Sequence, residues 1–260
     1  MSEQALAGRI ALVTGASSGL GAAIANRLAA AGARVYLLGR NEEGLAASAH
    51  GIRAAGGAAD ILVSDLGQAG AAGVAVEQVV QDAGKIDILV NNAAVFHTGP
   101  IAEQAPQMWR EMFQVNVLAL IEASQGAIAA MRRQKTPGHI VNISSLSSRL
   151  DPGGVYGASK AAVDKVSEQL RDELEGDDIR VVNILPGAFA TNLGRNMTEE
   201  QRQGLMDLLS RVPAAPDADG RTPLVGLPDD IARAVEFAVS QPININIGEM
   251  VVRPAMNTNI

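Results

Sequence analysis

Tyr156 and Lys160 are four residues apart, and a serine pair, Ser144 and Ser145, lies about a dozen residues upstream. In a helix this spacing places a phenol and an ammonium group on one face, one turn apart. A free tyrosine has a pKa near ~10. At ~5 Å and an effective dielectric of ~20, a lysine cation favours the phenolate by roughly 3 kcal/mol, or about two pKa units. The spacing therefore predicts a tyrosine that exchanges protons with an alcohol or carbonyl oxygen near neutral pH.

A glycine-rich segment at residues 14–21 follows the first apolar run and precedes a helical pattern. Glycines permit a tight turn and a close approach of the backbone to phosphate, and a pyrophosphate binds well at the positive end of a helix. The spacing is G-x-x-x-G-x-G rather than the generic G-x-G-x-x-G, and a purely structural turn is the alternative. In its strand–turn–helix context the segment predicts a dinucleotide site. The predicted contacts are Gly15, Ser17, Ser18, Gly19, Leu20 and Gly21.

The end of the second predicted strand indicates which dinucleotide is preferred. Gly39 lies twenty residues after Gly19 and is followed by Arg40 and Asn41, so no carboxylate stands where an NAD site binds the ribose diol. A guanidinium suits a 2′-phosphate through charge and fork geometry. We therefore predict NADP(H), with Arg40 and Asn41 as contacts. NAD(H) is the alternative, because two glutamates follow closely and Arg40 could also be a solvated surface cation.

Asp65, followed by Leu66, comes after the third predicted strand. Its carboxylate could accept a hydrogen bond from the adenine amino group, or it could cap the next helix.

Short apolar runs alternate with helical patterns along the chain, which predicts βαβ units and a parallel sheet covered on both faces. The expected fold is α/β: one domain over residues 1–260 with a doubly wound (Rossmann) sheet of about seven strands. The predicted strands are residues 9–14, 34–39, 59–64, 86–91, 139–144, 179–185 and 245–253, with helices at 20–31, 108–133 and 155–175. Residues 192–227, with a short helix at 198–209, predict a substrate lid or loop, or else a tolerated surface insertion.

The composition excludes several classes of protein. The net charge of -7 favours neither nucleic acid nor an anionic membrane as partner. The absence of cysteine excludes disulfides and Cys-ligated zinc, and the three scattered histidines predict no metal site. No run approaches ~18 consecutive apolar residues, so we expect no membrane span and a cytoplasmic enzyme or binding protein.

Together these features resemble the short-chain dehydrogenase/reductase family over residues 8–253, nearly the whole chain. The motifs that carry the resemblance occur in family order. They are residues 14–21, Asp65, Asn91-Asn92-Ala93-Ala94, Asn116, Ser144-Ser145, Tyr156 with Lys160, Asn183 with Pro186-Gly187, and Thr191.

The resemblance implies a role for each catalytic residue. Tyr156 is the general acid/base, Lys160 lowers its pKa and binds the nicotinamide ribose, and Ser145 polarises the substrate oxygen. Asn116 anchors a water that relays protons from Lys160 to solvent. The further cofactor contacts it implies are Asn92, Ala93, Ile143, Pro186, Gly187 and Thr191.

Two departures from the family pattern stand out. Ala94 replaces a usual glycine, which adds a methyl group near the cofactor. Ser145 lies eleven residues before Tyr156, about two fewer than is common, so the connecting loop must be tighter and Ser144 is the fallback.

The substrate is expected to be a small alcohol or carbonyl compound, with a ketone or hydroxy acid favoured. Arg149 could bind a substrate carboxylate, although a solvated loop position is the simpler role. Helices at 108–133 and 155–175 are apolar on more than one side, so each is either deeply buried or packed against another subunit. In the family that the chain resembles, these helices form a dimer or tetramer interface, which implies a homodimer or homotetramer. A non-catalytic dinucleotide-binding regulator and an epimerase or dehydratase are the competing functions. Other candidate substrate contacts are Phe96, His97, Leu146, Phe189 and Leu193.

Overall fold

A computed structural model describes residues 5–150, 153–190 and 225–255. Its centre is a parallel sheet of seven strands in the order β3-β2-β1-β4-β5-β6-β7, which confirms the predicted doubly wound fold. The strands are β1 Ile10–Thr14, β2 Arg34–Gly39, β3 Ala58–Val63, β4 Ile88–Asn91, β5 Gly138–Ile143, β6 Ile179–Pro186 and β7 Glu249–Val252. The last strand starts four residues later than expected, because Ile245 N–H donates to the Pro242 carbonyl in a turn.

Helices cover both faces of the sheet. They are α1 Gly19–Ala30, α2 Glu42–Ala54, α3 Ala71–Ala83, α4 Pro106–Phe113, α5 Ala119–Gln134, α6 Gly154–Glu173 and α7 Pro228–Val239. Successive residues of a strand point to opposite faces, and both faces of β1 are buried. Val13 packs with α1 and α7 on one face, whereas Leu12 packs with α3 and α5 on the other. The central strand β1 is therefore a continuous apolar run, as expected for a sheet covered twice, whereas the edge strands β3 and β7 are partly exposed.

The predicted helix at residues 108–133 contains an interruption. Between α4 and α5 the backbone forms a π-helical turn, Gln114–Leu118. Such turns insert an extra residue and are common at functional sites. Here the π turn carries Asn116, of which 1% is exposed.

The combined helical segment Pro106–Gln134 is long and apolar enough to cross a membrane by length and composition alone. Its most apolar window is 56% buried inside the protein, and α5 packs against α3 and the sheet. That is the behaviour of a core helix.

Most of the predicted lid at residues 192–227, including its helix at 198–209, lies outside the described residues. Its last residues are described. Ala190 N–H donates to the Gly226 carbonyl and Gly226 N–H donates to the Ala188 carbonyl, both at 3.0 Å. These bonds join the two described segments that flank residues 191–224.

Candidate active site

A cavity of about 430 Å³ opens at the carboxyl ends of the strands. The strand order reverses between β1 and β4, and open parallel sheets bind ligands at such a switch point. The cavity brings together most of the predicted site residues: Gly15, Ser17, Ser18, Gly19, Leu20, Arg40, Asp65, Leu66, Asn92, Ala93, Ile143, Ser145, Tyr156, Lys160, Pro186 and Gly187.

The glycine turn is fixed by hydrogen bonds between the ends of β1 and β4. The Thr14 hydroxyl accepts from the N–H groups of Asn92 and Ala93, both at 2.9 Å, and the Asn92 amide donates to the Thr14 carbonyl. Gly15 has φ +67°, and a Cβ there would lie 2.9 Å from Ala93 Cα. Gly21 lies beneath the turn, where a Cβ would overlap the Gly15 carbonyl. Gly21 therefore supports the turn without lining the cavity.

Helix α1 begins at Gly19, directly after this turn. The first N–H groups of a helix have no intrahelical acceptor, and they carry the positive end of its dipole. Ser18, in extended conformation, makes no capping hydrogen bond with its side chain. The glycines leave room beside these free N–H groups, so the start of α1 can bind a dinucleotide pyrophosphate.

The opposite wall of the cavity contains Arg40, which is exposed at the rim and forms no ion pair with a described residue. Asn41 was predicted to contact the cofactor, but it does not line the cavity. Its side chain instead accepts from Gly44 N–H and caps α2. The helix-cap alternative for Asp65 is wrong, since the N-cap of α3 is Gly70. Asp65 instead accepts from Gly67 N–H at 3.0 Å, which holds its carboxylate at the cavity wall.

Tyr156 and Lys160 lie in the first turns of α6 and are 6% and 3% exposed. Lys160 Nζ donates to the Ile143 carbonyl at 2.7 Å and lies 5.8 Å from the centre of the Tyr156 ring. Burial raises the pKa of Tyr156 to about 12, while a hydrogen bond with Ser145 acts in the opposite direction. The predicted lowering of this pKa by Lys160 is therefore not found: removal of the phenolate from water is the largest effect, and the Lys160 ammonium is directed at the Ile143 carbonyl.

Burial also lowers the pKa of Lys160, to about 8, and the nearby carboxylate of Asp164 acts to raise it. Both partners are thus shifted toward their neutral forms by the same cause, the loss of hydration for a charged group.

The two serines have separate roles. The Ser144 hydroxyl is buried and donates to the Lys160 carbonyl at 3.2 Å. The Ser145 hydroxyl accepts from Ser147 N–H at 3.1 Å and caps a 3₁₀ turn, Leu146–Ser148. Ser145 is the serine whose hydroxyl acts on Tyr156, so the geometry supports it over Ser144.

Asn116 lies behind Lys160. Its amide exchanges two hydrogen bonds with the backbone of Val95, at 2.8 and 3.0 Å, and donates to the Ser159 hydroxyl at 3.0 Å. Asn116 and Lys160 both line a small cavity of about 10 Å³, close to the ~10–15 Å³ that one water needs.

The substrate side of the cavity is apolar. The Phe96 ring meets Tyr156 edge-on at 4.9 Å, and Phe189 lines the same wall. His97 faces away from this wall to Glu111, at 2.9 Å. The proposed carboxylate-binding role of Arg149 is wrong in this geometry, because its guanidinium is paired with Glu249.

The remaining predicted residues have mixed outcomes. Gly187 accommodates a close approach, since a Cβ there would lie 2.8 Å from Arg253 Cβ. Thr191 and Leu193 lie outside the described residues. Residues that line the cavity without having been predicted are Gly39, Ser64, Val95, Val115, Ser147 and Ala188. Most are neighbours of a motif, which is the one signal that could have found them.

The comparisons with known proteins agree with this geometry. A family model described as short chain dehydrogenase matches residues 9–202, so the chain belongs to the short-chain dehydrogenase family. An uncharacterized oxidoreductase of Methylorubrum extorquens is 36% identical, covering 95% of this chain and 96% of that protein.

Two solved structures extend the comparison. A metagenomic short-chain oxidoreductase in complex with NADP is 32% identical with a TM-score of 0.79, covering 98% of this chain and all of the other. A short chain dehydrogenase from Burkholderia cenocepacia, also in complex with NADP, is 32% identical with a TM-score of 0.80, over 96% of this chain and 97% of that one. The protein is thus an oxidoreductase of a family that uses NAD(P).

Proposed function

We propose that this protein interconverts an alcohol and a carbonyl compound with NADP(H), using Tyr156 as the general acid/base. One observation carries the proposal. The phenol of Tyr156, the hydroxyl of Ser145 and the ammonium of Lys160 meet in the same cavity as the glycine turn. The bound nicotinamide supplies or accepts a hydride.

The shifted pKa values favour the direction of reduction at neutral pH. Tyr156, with a pKa of about 12, holds its proton and is ready to donate it to the substrate oxygen as negative charge develops there. Ser145 donates a second hydrogen bond to the same oxygen. This small set of fixed dipoles stabilises the transition state more than the ground state.

Lys160 returns to Tyr156 the proton that it gives away, and Asn116 helps to hold the water through which Lys160 is reprotonated from solvent. Both line the small cavity behind the active site, where one water would connect them. Lys160 changes protonation near neutral pH, since its pKa is about 8. Reduction should therefore slow as the pH rises through about 8, when Lys160 loses its proton.

The preference for NADP(H) rests on Arg40. It stands at the rim beside Gly39 with no ion pair to a described residue, while no carboxylate occupies the end of β2. The two related structures that contain NADP support the same choice.

The substrate class is a small ketone or hydroxy acid. Phe96 and Phe189 give the substrate side an apolar wall, and residues 192–227 are proposed as the lid. Arg149 is already paired, so recognition of a substrate carboxylate would have to come from elsewhere.

A homodimer or homotetramer in the cytoplasm is the proposed working form. Five large apolar side chains on α4, the π turn and α5 are at least one-third exposed: Met108, Trp109, Phe113, Leu118 and Ile121. A second copy of the chain would remove this apolar surface from water.

The test is a panel of ketones, β-keto esters and secondary alcohols assayed with NADPH and NADH at the nicotinamide absorbance band. Replacing Tyr156 by Phe should reduce kcat by at least about 10²-fold and leave the Kd for NADPH within a few-fold. Retained turnover in that variant, or no absorbance change with any carbonyl or alcohol, would refute the proposal.

A further inference from the structure

Asp164 lies on α6, one turn after Lys160, and its carboxylate joins three segments of the chain. Oδ1 accepts from the Asn183 side-chain amide of β6 at 2.8 Å. Oδ2 lies 2.6 Å from the Ser148 hydroxyl and 3.9 Å from Arg149 Nε. Only 19% of the Asp164 side chain is exposed, so these contacts form where water competes weakly.

Ser148 connects this carboxylate to the catalytic serine. Its hydroxyl lies 2.8 Å from the Ser145 carbonyl oxygen and can donate either to that oxygen or to Asp164. The N–H of Ser148 also donates to the same Ser145 carbonyl, at 3.1 Å. The position of Ser145 therefore depends on a turn that Asp164 holds against α6.

The turn is unusually close to the helix. A Cβ at Gly157 would lie 2.5 Å from the Ser147 carbonyl oxygen, and a Cβ at Gly153 would overlap the same atom. The short eleven-residue interval between Ser145 and Tyr156 is thus accommodated by backbone packed on backbone. Because the backbone of the turn is packed directly against the backbone of α6, a displacement of Ser148 should also move Ser145.

The charge of Asp164 acts on the second catalytic group. It raises the pKa of Lys160 against the effect of burial. The cation beside this carboxylate is Arg149, which is also paired with Glu249. Because Arg149 is shared between two acids, the negative charge of Asp164 is only partly compensated.

From this geometry, and on the basis of the proposed function, we propose that Asp164 is a positioning residue. It fixes the Ser145 turn through Ser148 and supports the ammonium of Lys160. One carboxylate outside the cavity thereby influences both Ser145 and Lys160, the two groups proposed to assist Tyr156.

Two substitutions separate the two effects. Ser148→Ala removes the link to the turn but leaves the charge, so kcat should fall about tenfold with an unchanged pH profile. Asp164→Asn keeps the shape but removes the charge, so kcat should also fall and the alkaline limb should move about one pH unit lower. The Kd for NADPH should stay within about threefold in both variants.

Glu168→Gln is the matched control, because Glu168 is an exposed acid one turn further along α6, paired with Lys165. It should leave kcat and the pH profile unchanged. Amide exchange measured by mass spectrometry adds a readout without substrate: peptides covering residues 145–149 should exchange faster in Ser148→Ala and Asp164→Asn.

The proposal fails if the wild type is active and both variants keep its kcat, pH profile and exchange rates. If Asp164→Asn does not fold, the test rests on Ser148→Ala. A wild-type kcat and a wild-type exchange rate in Ser148→Ala would then refute the positioning role. Failure of the proposed function is distinguishable, because it appears as retained turnover in Tyr156→Phe.

Discussion

His139 gives the protein a predictable sensitivity to acid. It is the second residue of β5, at the end of the sheet opposite the cavity, and it is 2% exposed. Its Nδ1 lies 3.4 Å from Arg9 Nη2, and its Nε2 has no hydrogen-bond partner among the described residues. Burial, together with the positive charges of Arg9 and Arg180, lowers its pKa to about 4. The folded protein therefore keeps this imidazole neutral.

The sign of the effect follows from proton counting. Between pH 6.5 and about 4 the unfolded chain binds a proton at His139 and the folded protein does not. Stability therefore rises with pH in this window and is lost as the pH falls. The loss from this residue is about 2 kcal/mol at pH 5 and approaches about 3 kcal/mol below pH 4.

The assay is urea unfolding of the wild type and His139→Gln at pH 7.5 and pH 5.0, at one protein concentration. Carboxylates titrate equally in both proteins, so their contribution cancels in the difference. Asp87, whose carbonyl accepts from His139 N–H and whose carboxylate pairs with Lys85, is also common to both. The wild type should lose about 2 kcal/mol more than the variant on acidification. Equal losses would show that His139 titrates normally and that the reasoning from burial is wrong.

Three further predictions concern cofactor choice, packing and assembly. Arg40→Ser should raise the Kd for NADPH about tenfold or more and leave that for NADH nearly unchanged; equal effects would exclude a 2′-phosphate role. Gly157→Ala should destabilise the fold by about 1–3 kcal/mol because its Cβ meets the Ser147 carbonyl, whereas Gly51→Ala, with open space around it, should stabilise by up to about 1 kcal/mol. Unfolding midpoints that shift the same way would contradict this contrast. Leu118→Glu should reduce the mass measured by light scattering to that of one chain, and a wild-type mass in the variant would place the interface elsewhere.

Several features were predictable because they depend on local patterns. The apolar runs predicted all seven strands to within a few residues. The signal is clearest for the central strands, since a strand buried on both faces must be apolar throughout. The glycine turn and the Tyr156–Lys160 spacing indicated their chemistry for a similar reason, because a turn and a helix are defined by neighbouring residues.

Other features needed the contacts of distant segments. Asp65 had two possible roles until Gly70 proved to be the N-cap of α3. Arg149 was a candidate for substrate binding until the fold brought it to Glu249, one hundred residues away. Neither partner could be chosen from sequence spacing, because the fold alone decides which loops meet.

By itself, the sequence determined the fold class and the family and predicted the reacting groups, since periodicity and motif order are properties of the chain. The tertiary structure decided the state of those groups. Packing around α6 removes Tyr156 and Lys160 from water, which shifts both toward neutrality, and it places Asp164 where it can act on Lys160 and on the Ser145 turn. A pKa depends on burial and on neighbours that arrive from elsewhere in the chain, so it becomes defined only when the protein folds.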